Sequence, residues 1–129
     1  GVTPLAVDGQ SPQPAPKYVV GSAHPQVRAG SPTYPLDVIA GLSPDGKALR
    51  IGVVNATFDT QTLALNLKAL KTKSAGRQWV LTGASLKAEN KVGQPAGVTI
   101  AESAAKLSGG RLTAAPTSVT VFEFPLDGR

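Results

Sequence analysis

The chain has 129 residues, with 41% apolar and 16% charged side chains, 14 glycines and 11 prolines, a balance that suits one domain of short strands and turns and argues against a helical bundle. Zero cysteines exclude a disulfide framework and any thiolate metal site, and leave no trace of the redox compartment. The formal charge is +5, but the N-terminus lacks the pattern of a signal peptide and no apolar run approaches the roughly 18 residues needed for a membrane-spanning helix.

In chain order, residues 1–35 form a Pro-rich entry with Pro4, Pro12, Pro14, Pro16, Pro25, Pro32 and Pro35. Its SPQPAPKY stretch favours extended polyproline backbone over helix. Leu5, Val7, Tyr18, Val19 and Val20 give it apolar handles that a purely flexible linker would lack. This segment is expected to dock on the body of the domain or on a second domain. From Leu36 the pattern turns to period two: Leu36, Val38, Ala40 and Leu42 share one face, and Asp37, Ile39 and Gly41 the other. Ser43, Pro44, Asp45 and Gly46 then supply a reversal, after which Leu49, Ile51 and Val53 alternate with Arg50, Gly52 and Val54. The spacing predicts a hairpin whose two apolar rows face one core.

A third strand is carried by Leu63, Leu65 and Leu67, with Thr62, Ala64, Asn66 and Lys68 opposite, and the KTKSAG segment ends it. The residues LKALK could alternatively form one helical turn. A fourth strand spans Arg77 to Thr82, where the shared parity of Trp79 and Leu81 predicts that both face the core. Gly83 to Gly97 reads as a long loop with Asn90, Gly93, Gln94 and Pro95. Val98 and Ile100 mark a fifth strand, Ser108 to Gly110 a turn, Leu112 a brief strand and Ser118 to Phe124 the last. Seven or eight strands, without internal repeat, predict an all-β fold: an antiparallel two-sheet sandwich in jelly-roll or Greek-key order over residues 36–129.

The search for chemistry returns mostly negatives. Three glutamates and five aspartates are present, and none forms a pair at a spacing suited to glycosidic acid/base and nucleophile work. Glu123 lies on a predicted strand and reads as a rim residue ion-paired to Lys or Arg. His24, the single histidine, has no companions for a triad or metal site. No glycine pattern cradles a phosphate. Lys68, Lys71, Lys73 and Arg77 cluster around one turn, yet no aromatics interleave with them as a nucleic-acid platform requires. A solvated turn is the simpler reading. An outward Trp79 would suit stacking on a sugar. Asn55-Ala56-Thr57 matches the glycosylation acceptor pattern. No catalytic, substrate-binding or metal residue and no cofactor is assigned. The absence of methionine points to excision from a longer polypeptide, although removal of the initiator methionine alone would leave the same composition.

Taken together, SPQPAPKY, AGSPTYPLDVIAGLSPDGKALRIGVVNAT, the segment with Leu81, Thr82, Gly83, Asn90, Gly93, Gln94 and Pro95, and APTSVTVFEF resemble the C-terminal part of α-L-arabinofuranosidases of glycoside hydrolase family 51. The likeness runs from about Gly1 to about Phe124. It implies a jelly-roll sandwich that follows a catalytic (β/α)8 barrel, the parent enzyme removing arabinofuranosyl groups from arabinose-containing polysaccharides with retention. No residue of this chain corresponds to the barrel's two glutamates. The implied partner is that barrel, with residues 1–35 as the passage to it; neither nucleic acid nor membrane is implied, and an oligomer is compatible. Compartment stays open, secretion or a periplasmic setting included. Two other classes remain: a stand-alone carbohydrate-binding module and a fibronectin-like spacer.

Overall fold

A computed structural model describes residues 1–11 and 32–128 of the chain. The entry positions Tyr18, Val19, Val20 and His24, and the SPQPAPKY stretch from residue 12 onward, lie outside the described residues. Eight strands follow in order: β1 (Thr3–Leu5), β2 (Leu36–Leu42), β3 (Ala48–Asn55), β4 (Gln61–Ala64), β5 (Ala75–Gly83), β6 (Val98–Lys106), β7 (Arg111–Ala114) and β8 (Ser118–Pro125). Among the described residues there is no helix. The larger sheet has six strands in the order β1-β2-β3-β8-β5-β6, and β4 and β7 form a second layer. Every pairing is antiparallel. The fold is thus the all-β antiparallel sandwich expected, with unequal layers.

The β2–β3 hairpin forms where the alternation places it. Gly46 sits at φ 68°, a left-handed conformation that glycine adopts without steric cost. The buried Ser43 hydroxyl accepts the Ala48 amide at 2.9 Å and donates to the Asp45 carboxylate at 2.5 Å, closing the turn. Leu49, Ile51 and Val53 are 1–2% exposed. Across the ladder, Leu49 faces Phe124 and Ile51 faces Phe122. Those two rings stack with centroids 6.5 Å apart, and full burial of each contributes about 2–3 kcal/mol. Leu112 and Ala114 of β7 close the core from the other layer, and Leu63, Leu65 and Leu67 pack at its margin.

Three details depart from the sequence reading. The leucine alternation runs to Leu67, but β4 ends at Ala64, because Gly109 and Gly110 at φ 57° and 72° curl the chain away just before β7. Only the Leu65 amide still reaches across, to Gly110 oxygen at 2.7 Å. LKALK is a turn, closed by the Leu70 amide on Leu67 oxygen at 2.9 Å, with Lys68 at φ 50°. Finally, Trp79 and Leu81 do not enter the core. Trp79 pairs with Val121 and Leu81 with Val119, which lie on the face of β8 opposite Phe122 and Phe124. The central strand must bury its phenylalanines, and with period-two side chains that choice fixes Gly76, Gln78 and Val80 as the inner row of β5. In addition, β1 places Leu5 opposite Ala40 at the edge of the larger sheet, so part of the entry belongs to the sandwich.

Candidate functional site

The outer face of the six-stranded sheet carries three of the ion pairs among the described residues. β8 runs between β3 and β5, so Glu123 is flanked by Arg50 on one side and Arg77 on the other. Arg50 Nε donates to Glu123 Oε2 at 2.7 Å and Arg77 Nη2 to Glu123 Oε1 at 2.7 Å. The Glu123 side chain is only 12% exposed. Arg77 also lies 3.5 Å from Glu102 of β6 and stands over the Trp79 ring, 5.1 Å from its centroid. Trp79 Nε1 donates to Glu102 Oε2 at 3.1 Å. Beside the cluster, Ser43, Asp45, Lys47 and Arg50 border a shallow open depression.

This arrangement is electrostatically closed. The Arg77 hydrogen bond, with Arg50 assisting, holds the Glu123 carboxyl below its ordinary range despite partial burial, and Glu123 in turn raises Arg77. A general acid for glycoside cleavage needs the opposite shift, because it must carry a proton near neutral pH. Glu123 is therefore a locked ion-pair partner, in agreement with the rim reading. Asp45 is lowered as well, first by the Ser43 hydroxyl and then by the Lys47 amide, and is engaged in its turn. Among the described residues, no three His, Cys, Asp or Glu side chains come together to hold a metal ion.

The remaining sequence candidates separate in space. Asn55 is 1% exposed, and its amide reaches Asp59 oxygen at 2.9 Å and Ala115 oxygen at 2.8 Å while accepting the Thr57 amide at 3.0 Å. The acceptor pattern at 55–57 thus encodes a buried brace between loops, closed to a glycan in the folded state. Lys68, Lys71 and Lys73 are exposed around one connection, whereas Arg77 leaves them to join Glu123. Asn90 uses both ends of its amide on the Val98 backbone, at 2.8 and 3.0 Å, and so ties the 84–97 loop to the start of β6. The sequence reading missed the Arg77–Trp79 stacking; the i, i+2 spacing of the two residues on a strand was its available signal.

Comparison with known proteins adds a likeness to solved structures. No protein-family model matches the chain, and no curated protein does. Among solved structures, an α-L-arabinofuranosidase from Thermotoga maritima, determined as an arabinose complex, superposes over 70% of this chain with 30% identity and a TM-score of 0.60. A thermostable family 51 α-L-arabinofuranosidase from Thermotoga petrophila RKU-1 does so over 68% with 31% identity and a TM-score of 0.59. This chain is similar to a domain of family 51 arabinofuranosidases. It spans only 19% and 18% of those two chains, so the family 51 likeness concerns a single module of a much larger protein. A bifunctional glucanase-xylanase, CelM2, from a metagenome library shares the fold over 71% of this chain at 27% identity, with a TM-score of 0.52. A sandwich of this fold therefore occurs in hydrolases named for different activities.

Proposed function

We propose that this chain is the non-catalytic sandwich of an α-L-arabinofuranosidase-type glycoside hydrolase. In this reading a barrel elsewhere in the polypeptide cleaves terminal arabinofuranosyl groups from arabinose-containing polysaccharides, and residues 1–35, whose β1 already joins the edge of the larger sheet, lead from that barrel into the body of the sandwich, residues 36–129. The observation that carries it is a likeness of about 30% identity over 70% of this chain that spans only 19% of the enzyme it matches. The site chemistry supports it, since the best-placed carboxylate is bound by two guanidinium groups. The experiment is hydrolysis of a nitrophenyl arabinofuranoside by this chain and by the full polypeptide. Release is expected from the latter only; release by the 129 residues alone refutes a scaffold role. A sugar-binding role has less support, because the half-buried Trp79 ring is already covered by Arg77 and its N–H is already bonded to Glu102.

A further inference from the structure

The outer sheet face has two apolar rows, of which the ion cluster engages only Trp79. One row crosses the sheet as Ile39, Gly52, Val121 and Trp79, and the next as Val54, Val119, Leu81 and Ile100. Ile39 is 74% and Ile100 67% exposed, and Val54, Leu81, Val119 and Val121 lie between 37% and 40%. In an antiparallel sandwich the solvent face normally alternates to polar residues. Here β3, β8 and β5 are apolar on both sides, so the sheet has a second surface to bury.

We infer that this face is the seat of another domain of the same polypeptide, an inference that rests on the family 51 reading and names the surface through which the sandwich meets the catalytic part. Size decides against a second copy. Five strands about 4.8 Å apart and two rows about 7 Å apart make a footprint of roughly 300–400 Å². A stable complex of free partners needs about 800 Å² on each side. Interfaces between domains of one chain start near 300 Å² per side, because the covalent tether supplies a high effective concentration. Charge agrees over most of the face: Arg50, Arg77, Glu102 and Glu123 neutralise one another, so covering them strands no lone charge, and the exposed Asp37, across from Val54, stands at the β2 end of the second row, where the rim of a covering surface leaves it in water. A glycan is a poorer occupant, since the rows are aliphatic and offer few hydrogen-bonding groups.

The chain has no cysteine, which makes single thiols clean reporters. Ile39→Cys and Ile100→Cys, with Thr113→Cys on the exposed side of the smaller layer as control, are each treated with a maleimide in the 129-residue chain and in a cysteine-free form of the full polypeptide. Labelling at 39 and 100 should slow at least tenfold in the full polypeptide and stay unchanged at 113. Equal rates in both contexts overturn the inference, and if that polypeptide still releases arabinose the functional reading survives alone. Protection in an inactive polypeptide supports the docking face and removes the arabinofuranosidase reading. Slow labelling already in the 129-residue chain overturns the inference in favour of self-coverage, or of a second copy if light scattering shows a dimer.

Discussion

Replacing Asn55 by leucine probes the brace that joins the β3–β4 and β7–β8 connections. Leucine has nearly the same size, so the change removes hydrogen bonds with little loss of volume. Asn55 Nδ2 donates to Asp59 and Ala115 oxygens, and Oδ1 accepts the Thr57 amide and its hydroxyl, at 2.8 to 3.0 Å. Four bonds at about 1 kcal/mol net each, less about 1 kcal/mol regained from apolar burial, give a destabilisation of about 3 kcal/mol. For a domain of this size that lowers Tm by about 10 °C. Urea unfolding followed by Trp79 fluorescence, with calorimetry beside it, reads both quantities. N55D adds a signature that packing alone would not produce. A carboxylate among backbone carbonyls has its folded-state pKa raised, so its destabilisation grows as pH rises above about 4 and fades on acidification. An N55L midpoint within about 0.5 kcal/mol of the parent, or an N55D deficit independent of pH, would falsify the brace.

Other positions yield sharp expectations. Thr120 is 1% exposed and its hydroxyl has no partner among the described residues, so T120V should raise stability by about 1 kcal/mol in urea titrations. A Cβ on Gly76 would stand 2.6 Å from the Phe124 ring; G76A should cost about 1–3 kcal/mol and alter the near-ultraviolet spectrum of the core. The depressed Glu123 carboxyl stabilises the fold above its unfolded value near 4.5, and that contribution disappears as pH falls through the lower folded value. The stability gap between the parent and E123Q should therefore narrow on acidification and shrink in high salt; a gap constant with pH would show that the ion cluster is not the source.

The hairpin was legible because every level agreed: alternation, a Pro-Asp-Gly turn and one apolar row per strand. The last strand was equally open, since Val, Thr and Phe alternate with one face wholly buried. β5 was not, because both its faces carry apolar residues and parity alone cannot say which is inside. The deciding fact is tertiary: Phe124 lies against Gly76, leaving no room for Trp79 there. β6 was seen only at Val98 and Ile100, since the Ala-Glu-Ser-Ala-Ala run that continues it has weak strand propensity and is held by pairing with β5. β1 has three residues, one of them proline, and only its partner β2 makes it a strand. At the outer cluster, the pairing of Glu123 with basic residues follows from charge, whereas the identities of Arg50 and Arg77 required the register of strands more than forty residues apart.

β8, the last of the eight strands to be made, occupies the middle of the larger sheet, between β3 and β5. A nascent chain leaving the ribosome would thus hold two half-sheets with no wedge between them until residues 118–125 emerge. Folding must wait for this insertion, and the paired contacts it closes span long stretches of sequence, which slows the search. A stop codon anywhere before residue 118 would hence discard the keystone of the whole layer, and such products should be degraded rather than accumulate as shortened domains.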